Sequence, residues 1–508
     1  MSILRLNEIL TKHGAGSRLN ILLFLCVLTF VITATSPPQV TDDAYITYRY
    51  VQNIAGGEGF VYNRGERVLG TTTPLYTLLL AALTYALPRS DVIQLSLVVN
   101  AMSDALCTVI LFELAFWITR SKWHSLIIAL LFALFPYRVA IARSGMETPF
   151  FVLMTLTSIY VYILERPCLS TAVAGLATLT RPEGGLLILL VLVLLLISRK
   201  RPPYKESVVV LSLLLPWLLF STWYFGSPVP NSVIAKARAY VMISRLEFVP
   251  IMVRFWGGAP FCGSQTIPRF VYSLINGIFL ISLYVLVLWR ACKKRSRDSL
   301  FWGYPVLFVL AFTCANPFVM PWYLAPLLPF WLVGLGKGIT TLANMIVKGD
   351  YNPKRPLLVA AILWATQIPA LDIISKVQPF GDITLREDLY KALAIELKEQ
   401  ISSGCVVAAS EIGAFGYYSS AYILDTVGLV SPQAISYNPA PRSPSTLPYA
   451  IPTELILDRR PEFVVSLEIF ARDTLLRSSE FSEEYALVRR IDTSALGSNG
   501  LLVFRRRD

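Results

Sequence analysis

Ile21-Leu22-Leu23-Phe24-Leu25-Cys26-Val27-Leu28-Thr29-Phe30-Val31-Ile32 is followed a few residues later by Thr41-Asp42-Asp43-Ala44-Tyr45-Ile46-Thr47-Tyr48-Arg49-Tyr50. The first run is the centre of a membrane-span candidate. The second places two adjacent carboxylates at its edge, where charge is costly to keep near hydrocarbon and needs a neutralising partner. The possible partners are a divalent metal, a cationic substrate, or Arg49 of the same segment.

Composition extends this reading to the whole chain. Of 508 residues, 55% are hydrophobic and 15% charged, with a mean hydropathy of +0.58, which indicates a polytopic membrane protein. Arg5, Lys12 and Arg18 precede the first span, which reads as retained rather than as a cleaved signal. The formal charge of +12 gathers in short loops, at Arg199-Lys200-Arg201 with Lys205 and from Arg290 to Arg297. That is the positive-inside pattern of cytoplasmic loops in a multi-pass cell membrane protein, and it argues against a nucleic-acid partner. The seven cysteines form no CxxC pair, and only Cys262 and Cys405 fall in segments expected outside the bilayer. With His13 and His124 alone, a histidine-based metal cluster or hydrolase triad is excluded. A metal, if used, would be Mg²⁺ or Mn²⁺ on oxygen ligands, and no organic cofactor is indicated.

Apolar stretches predict spans near 20–36, 92–118, 124–142, 149–165, 183–198, 207–225, 271–289, 300–315, 322–336 and 356–374, with ambiguous ones at 73–88 and 168–180. The fold class is therefore an α-helical polytopic membrane protein of about 11–13 transmembrane helices with a C-terminal soluble α/β domain. Placing the basic loops inside puts the amino terminus in the cytoplasm and the segment after 376 outside. The spans between Thr73 and Glu147 do not close by parity, so 73–88 or the stretch around Asn100, Ser103 and Asp104 is expected to be broken or re-entrant. After Ser375 the spans stop and acidic residues outnumber basic ones. This gives two expected domains, 1–375 in the membrane and 376–508 outside it. In the second, Leu389 to Ile401 reads as a helix, 405–409, 421–425, 463–467 and 501–504 as short buried strands, and Asn438 to Pro452 as a Pro-rich loop.

Four polar groups converge on the outer side under this topology. They are Asp42-Asp43 with Arg49, followed by the glycine-rich turn Asn53 to Gly59 and Tyr62-Asn63-Arg64-Gly65-Glu66-Arg67; Arg143-Ser144-Gly145-Met146-Glu147-Thr148-Pro149; Thr180-Arg181-Pro182-Glu183-Gly184; and Pro228-Val229-Pro230-Asn231-Ser232-Val233-Ile234-Ala235-Lys236 with Arg238. Each has an ordinary structural reading: an Asp helix cap, a solvated Glu, an Arg-Glu pair, a snorkelling Lys. Together they suit transfer of a sugar from a lipid phosphate, which needs a carboxylate to deprotonate the acceptor hydroxyl and cations to neutralise the departing phosphate. Broken helices and membrane-depth charges also occur in transporters and lipid flippases. The polar residues gather at one face rather than at midmembrane, and no inverted repeat is evident.

The stretch DDAYITYRYVQNIAGGEGFVYNRGERVLGTTTPLYTLLLAAL resembles the first outer loop and second span of GT-C superfamily membrane glycosyltransferases. It looks closest to mycobacterial-type arabinofuranosyltransferases and is more distantly similar to aminoarabinose and protein mannosyl transferases. SGMETPFF, LTRPEG, PNSVIAK, PWYLAPLLP and ASEIGAFGYYSSAYILDTVGL look like later segments of the same group. The resemblance implies an inverting transferase using a polyprenyl-phosphate-linked sugar, with a glycan, lipid or protein acceptor among membrane lipids. It implies Asp42 as the likeliest base, Asp43 as alternative base or metal ligand, and Glu147 as the second-loop carboxylate and metal ligand. Arg49, Arg181, Lys236 and Arg238 become donor-phosphate candidates, and Tyr45 and Asn231 sugar-binding candidates. The identity of the sugar is not carried over.

Overall fold

The computed structural model describes residues 15–240, 251–252, 267–294, 298–315, 317, 319–346, 381–401, 404–440 and 449–507. The predicted span 356–374, Cys262 and part of the Pro-rich loop lie outside these residues, while Cys405 is a free thiol. The chain divides into two compact units. One comprises residues 1–38, 97–214 and 246–379, the other residues 39–96, 215–245 and 380–508.

The first unit is helical. Among the described residues of the chain, Gly16–Thr35, Val92–Thr119 and Tyr204–Phe225 are long and apolar enough to cross a membrane. Shorter apolar helices occupy the other predicted stretches, including Thr148–Ile163, Pro167–Thr180, Gly184–Arg199 and Ser299–Ala315. Small residues let these helices approach closely, as is usual where hydrophobic burial cannot drive association. Ser158 and Ser170 exchange hydroxyl-to-carbonyl hydrogen bonds of 2.9 Å each. Gly303 lies against Leu190, and Gly334 and Gly338 admit Tyr284 and Leu283 of helix Ile267–Lys294. The predicted span 322–336 begins instead with two short 3-10 turns, and its helix runs from Leu328 to Ile346.

The broken helix lies elsewhere than expected. Asn100, Ser103 and Asp104 sit within the continuous helix Val92–Thr119, and residues 74–86 form a separate short helix. The break falls in the predicted span 124–142, between Lys122–Ala133 and Pro136–Arg143, which meet at 50°. Pro136 has no N–H to continue the ladder and stands at the first turn of the second segment. Arg138, two residues on, donates to the carbonyl of Ala133 at 2.6 Å and to Thr33 Oγ1 at 2.9 Å, and pairs with Asp104. Thr33 in turn donates to Asp104 at 3.1 Å. The break is thus closed by a buried cation that needs its own carboxylate.

The second unit holds a five-stranded sheet in the order β2-β1-β3-β5-β4. β1 (Val406–Ala409) pairs in parallel with β2 (Tyr422–Asp425) and with β3 (Phe463–Leu467), while β5 (Leu501–Arg506) runs antiparallel to β3 and to β4 (Tyr485–Ile491). β3 is buried along its whole length, consistent with a sequence that is apolar except at Ser466. β4 was not anticipated: it is an edge strand whose Leu487, Val488, Arg489 and Arg490 are exposed, so it lacks the apolar signature of its neighbours. The predicted helix 389–401 runs instead from Gly381 to Leu397. Lys398, Glu399 and Gln400 beyond it offer nothing apolar to bury.

Removing the carboxylate of Asp104 while leaving Arg138 strands a buried charge. Asp104→Leu is expected to lower unfolding stability by about 3–5 kcal/mol, whereas Asp104→Leu with Arg138→Met recovers most of it. Thermal unfolding in detergent checks this, and equal losses in the single and double variants would count against it.

Candidate active site

In the second unit, helix Asp42–Ala55 carries the aspartate pair in its first turn. Successive residues of an α-helix point about 100° apart, and here the two carboxylates have different surroundings. Asp42 is buried and accepts hydrogen bonds from the amides of Gly413 and Ala414, each 2.8 Å, so it caps helix Gly413–Ser419 of the C-terminal segment. In return Glu387 Oε1 accepts from the amide of Asp42 at 3.1 Å. Arg386 lies between Glu387 (2.6 Å) and Glu411 (2.5 Å). Gly413 has no alternative in this place, because a Cβ there would fall on the Asp42 carbonyl. Burial pushes the Asp42 carboxyl up to about 7, with the Glu411 carboxylate adding to the shift and Arg386 and the two amides opposing it.

Asp43, by contrast, is partly exposed, and its Oδ2 lies 3.4 Å from Lys236 Nζ. Lys236 and the exposed Arg238 belong to helix Asn231–Ala239. The amide of Asn231, expected at a sugar, instead donates to the carbonyls of Gly428 (2.6 Å) and Leu429 (3.1 Å). Its backbone N–H donates to Leu69 at 2.7 Å, so Asn231 clasps two loops. Arg49, expected at the donor phosphate, is likewise structural. Its guanidinium donates to Tyr62 O, Gly416 O, Ala421 O and Asn63 Oδ1 at 2.6–3.2 Å and lies over the Tyr62 ring. Tyr45, the other sugar candidate, packs among Tyr48, Tyr417 and Tyr418. Asn63, within the first polar group, was given no role of its own by the sequence reading. Its side chain meets both backbone groups of Ile423 in β2, at 2.9 and 3.0 Å.

In the first unit, Glu147 is buried at the start of helix Thr148–Ile163 and accepts from Arg181 at 3.0 Å. Arg181 also pairs with Glu183 at 2.8 Å, donates to Thr148, and lies between the rings of Phe151 and Tyr323. Two carboxylates neutralise this guanidinium, which holds Glu147 in place. Asp43 and Glu147, the expected metal ligands, thus each face a cationic side chain. Among the described residues no group of three or more His, Cys, Asp or Glu side chains is arranged to hold a metal ion. The donor set does not fit a Mg²⁺ or Mn²⁺ site.

Residues 381–504 match a family model described as Domain of unknown function (DUF8728). No curated protein matches the chain. Among solved structures, ArnT from Cupriavidus metallidurans in the apo state superposes with a TM-score of 0.57 at 13% identity, covering 97% of this chain and 98% of that one. The same protein bound to undecaprenyl phosphate gives 0.56 at 14% identity, with the same coverage. The chain shares the fold of that protein. Its apolar helices and this fold make it a membrane protein.

Because the Asp42 carboxyl is raised from 3.8 to about 7, the folded chain holds the proton more tightly than the unfolded one. This contribution to stability is complete below about pH 4 and falls away as pH rises through 7. Unfolding midpoints measured from pH 4 to 8 should therefore fall more steeply in the wild type than in Asp42→Asn. Equal slopes would remove Asp42 from the linkage.

Proposed function

We propose that this protein is an inverting glycosyltransferase that moves a sugar from a polyprenyl-phosphate donor to a hydroxyl of a cell-envelope glycan, lipid or protein. The ArnT-like fold supports the class, and a relative bound to undecaprenyl phosphate supports the donor chemistry. The observation that carries the assignment is the separation of roles in the aspartate pair: Asp42 is buried as a helix cap, while Asp43 is accessible and held by Lys236. Asp43 is the base and Asp42 a positioning residue. The reaction is placed on the outer membrane face, with the amino-terminal side in the cytoplasm and the sheet domain outside, on the strength of the basic loop Arg199–Lys205.

In the reaction Asp43 takes the acceptor hydroxyl proton while that oxygen attacks the anomeric carbon of the sugar. The bond from that carbon to the phosphate oxygen breaks, its electron pair leaves with polyprenyl phosphate, and a single displacement inverts the centre. Lys236 and Arg238 balance the charge of the departing phosphate.

Purified protein incubated with pentose- and hexose-linked polyprenyl phosphates should release polyprenyl phosphate, and EDTA should leave the rate unchanged. Asp43→Asn should lower turnover about 10²–10⁴-fold, in the range for loss of a general base. Full activity in Asp43→Asn together with inactivity in a well-folded Asp42→Asn would return the base to Asp42. Absence of release with every donor, accompanied by lipid transport in vesicles, would favour a flippase instead.

A further inference from the structure

Four arginines among the described residues are buried: Arg49, Arg138, Arg143 and Arg181. Three have partners for their guanidinium groups, although Arg138 Nε, like Arg143 Nε, has no acceptor of its own. Arg49 is held by three carbonyls and an amide, Arg138 by Asp104, Thr33 and Ala133, and Arg181 by Glu147, Glu183 and Thr148. Arg143 differs. It is 8% exposed, and its Nε is shut away from solvent with no hydrogen-bond acceptor. None of the described hydrogen bonds, ion pairs or ring contacts involves its guanidinium.

A buried cation without a counter-ion is costly, by several kcal/mol in real proteins. Such an arrangement persists when an anion that arrives later meets the charge. The backbone that carries Arg143 is fixed by its neighbours. Arg143 ends helix Pro136–Arg143; Ser144 Oγ turns back to the Ile141 carbonyl at 2.7 Å and accepts from the Met146 amide at 3.3 Å. Gly145 takes the left-handed conformation at φ 77°. Asn100, from helix Val92–Thr119, holds the loop by donating to the carbonyls of Ala142 (3.3 Å) and Met146 (2.8 Å). Glu147, the carboxylate nearest in sequence, is committed to Arg181.

We propose that Arg143 is an oxyanion-binding residue whose ligand is the phosphate headgroup of a polyprenyl lipid. This rests on the donor reading of the preceding subsection. Arg is suited to the task, since its planar fork offers two parallel donors to phosphate oxygens.

The test uses full-length protein in detergent, with Arg143→Met and Arg143→Lys beside the wild type. Each is titrated with undecaprenyl phosphate, undecaprenol and inorganic phosphate, and the unfolding midpoint is followed, because a ligand of the folded state raises it. Arg143→Met should be at least as stable as the wild type without ligand, since it removes an unpaired charge. It should bind undecaprenyl phosphate at least tenfold more weakly, Arg143→Lys should fall between, and undecaprenol should shift none of them. Equal affinity of wild type and Arg143→Met for undecaprenyl phosphate would overturn the proposal, as would a loss of ligand-free stability in Arg143→Met with affinity unchanged. An Arg143-dependent shift with inorganic phosphate but none with the lipid would keep the oxyanion site while sinking the lipid assignment and the donor reading.

Discussion

The carboxylate of Asp42 set against the amides of Gly413 and Ala414 is the contact on which the second unit depends. A helix N-terminus presents unsatisfied amides and a partial positive charge, and a carboxylate answers both. The contact is reciprocal, because Glu387 accepts from the first amide of Asp42. Two segments more than 300 residues apart in the chain therefore cap one another. Around that pair, Gly416 leaves room for Tyr62 and for the Arg49 guanidinium, and Asn63 mimics a strand partner for Ile423. The first polar loop is in this sense a part of the sheet domain's packing.

That arrangement also separates two chemically identical neighbours. Asp42 turns inward and is consumed as a cap; Asp43, about 100° around the helix, stays accessible beside Lys236. The same division runs through the cations. Arg49, Arg138 and Arg181 are buried because each completes a local set of acceptors, and only the set differs: carbonyls for the first, one carboxylate for the second, two for the third. Arg143 is buried without such a set.

The helices were legible because lipid imposes length and apolarity on every span, and the sheet strands because β1, β2, β3 and β5 are short apolar runs. β4 was not, since an edge strand with exposed Arg489 and Arg490 carries no such signal. The position of the break was misjudged for a related reason. Asn100 and Asp104 look disruptive in a linear reading, yet in a helix they face partners, Met146 and Arg138, and leave the backbone intact. Pro136 was the stronger indicator.

By itself the sequence determined a membrane chain with a terminal α/β domain, and it singled out the segments that carry chemistry, because hydropathy and charge next to hydrocarbon are read residue by residue. Only the tertiary structure decided what each polar side chain does. Whether an arginine is a ligand or a brace depends on which carbonyls and carboxylates the fold brings within 3 Å of it. That is a property of contacts between distant segments, which no local pattern encodes.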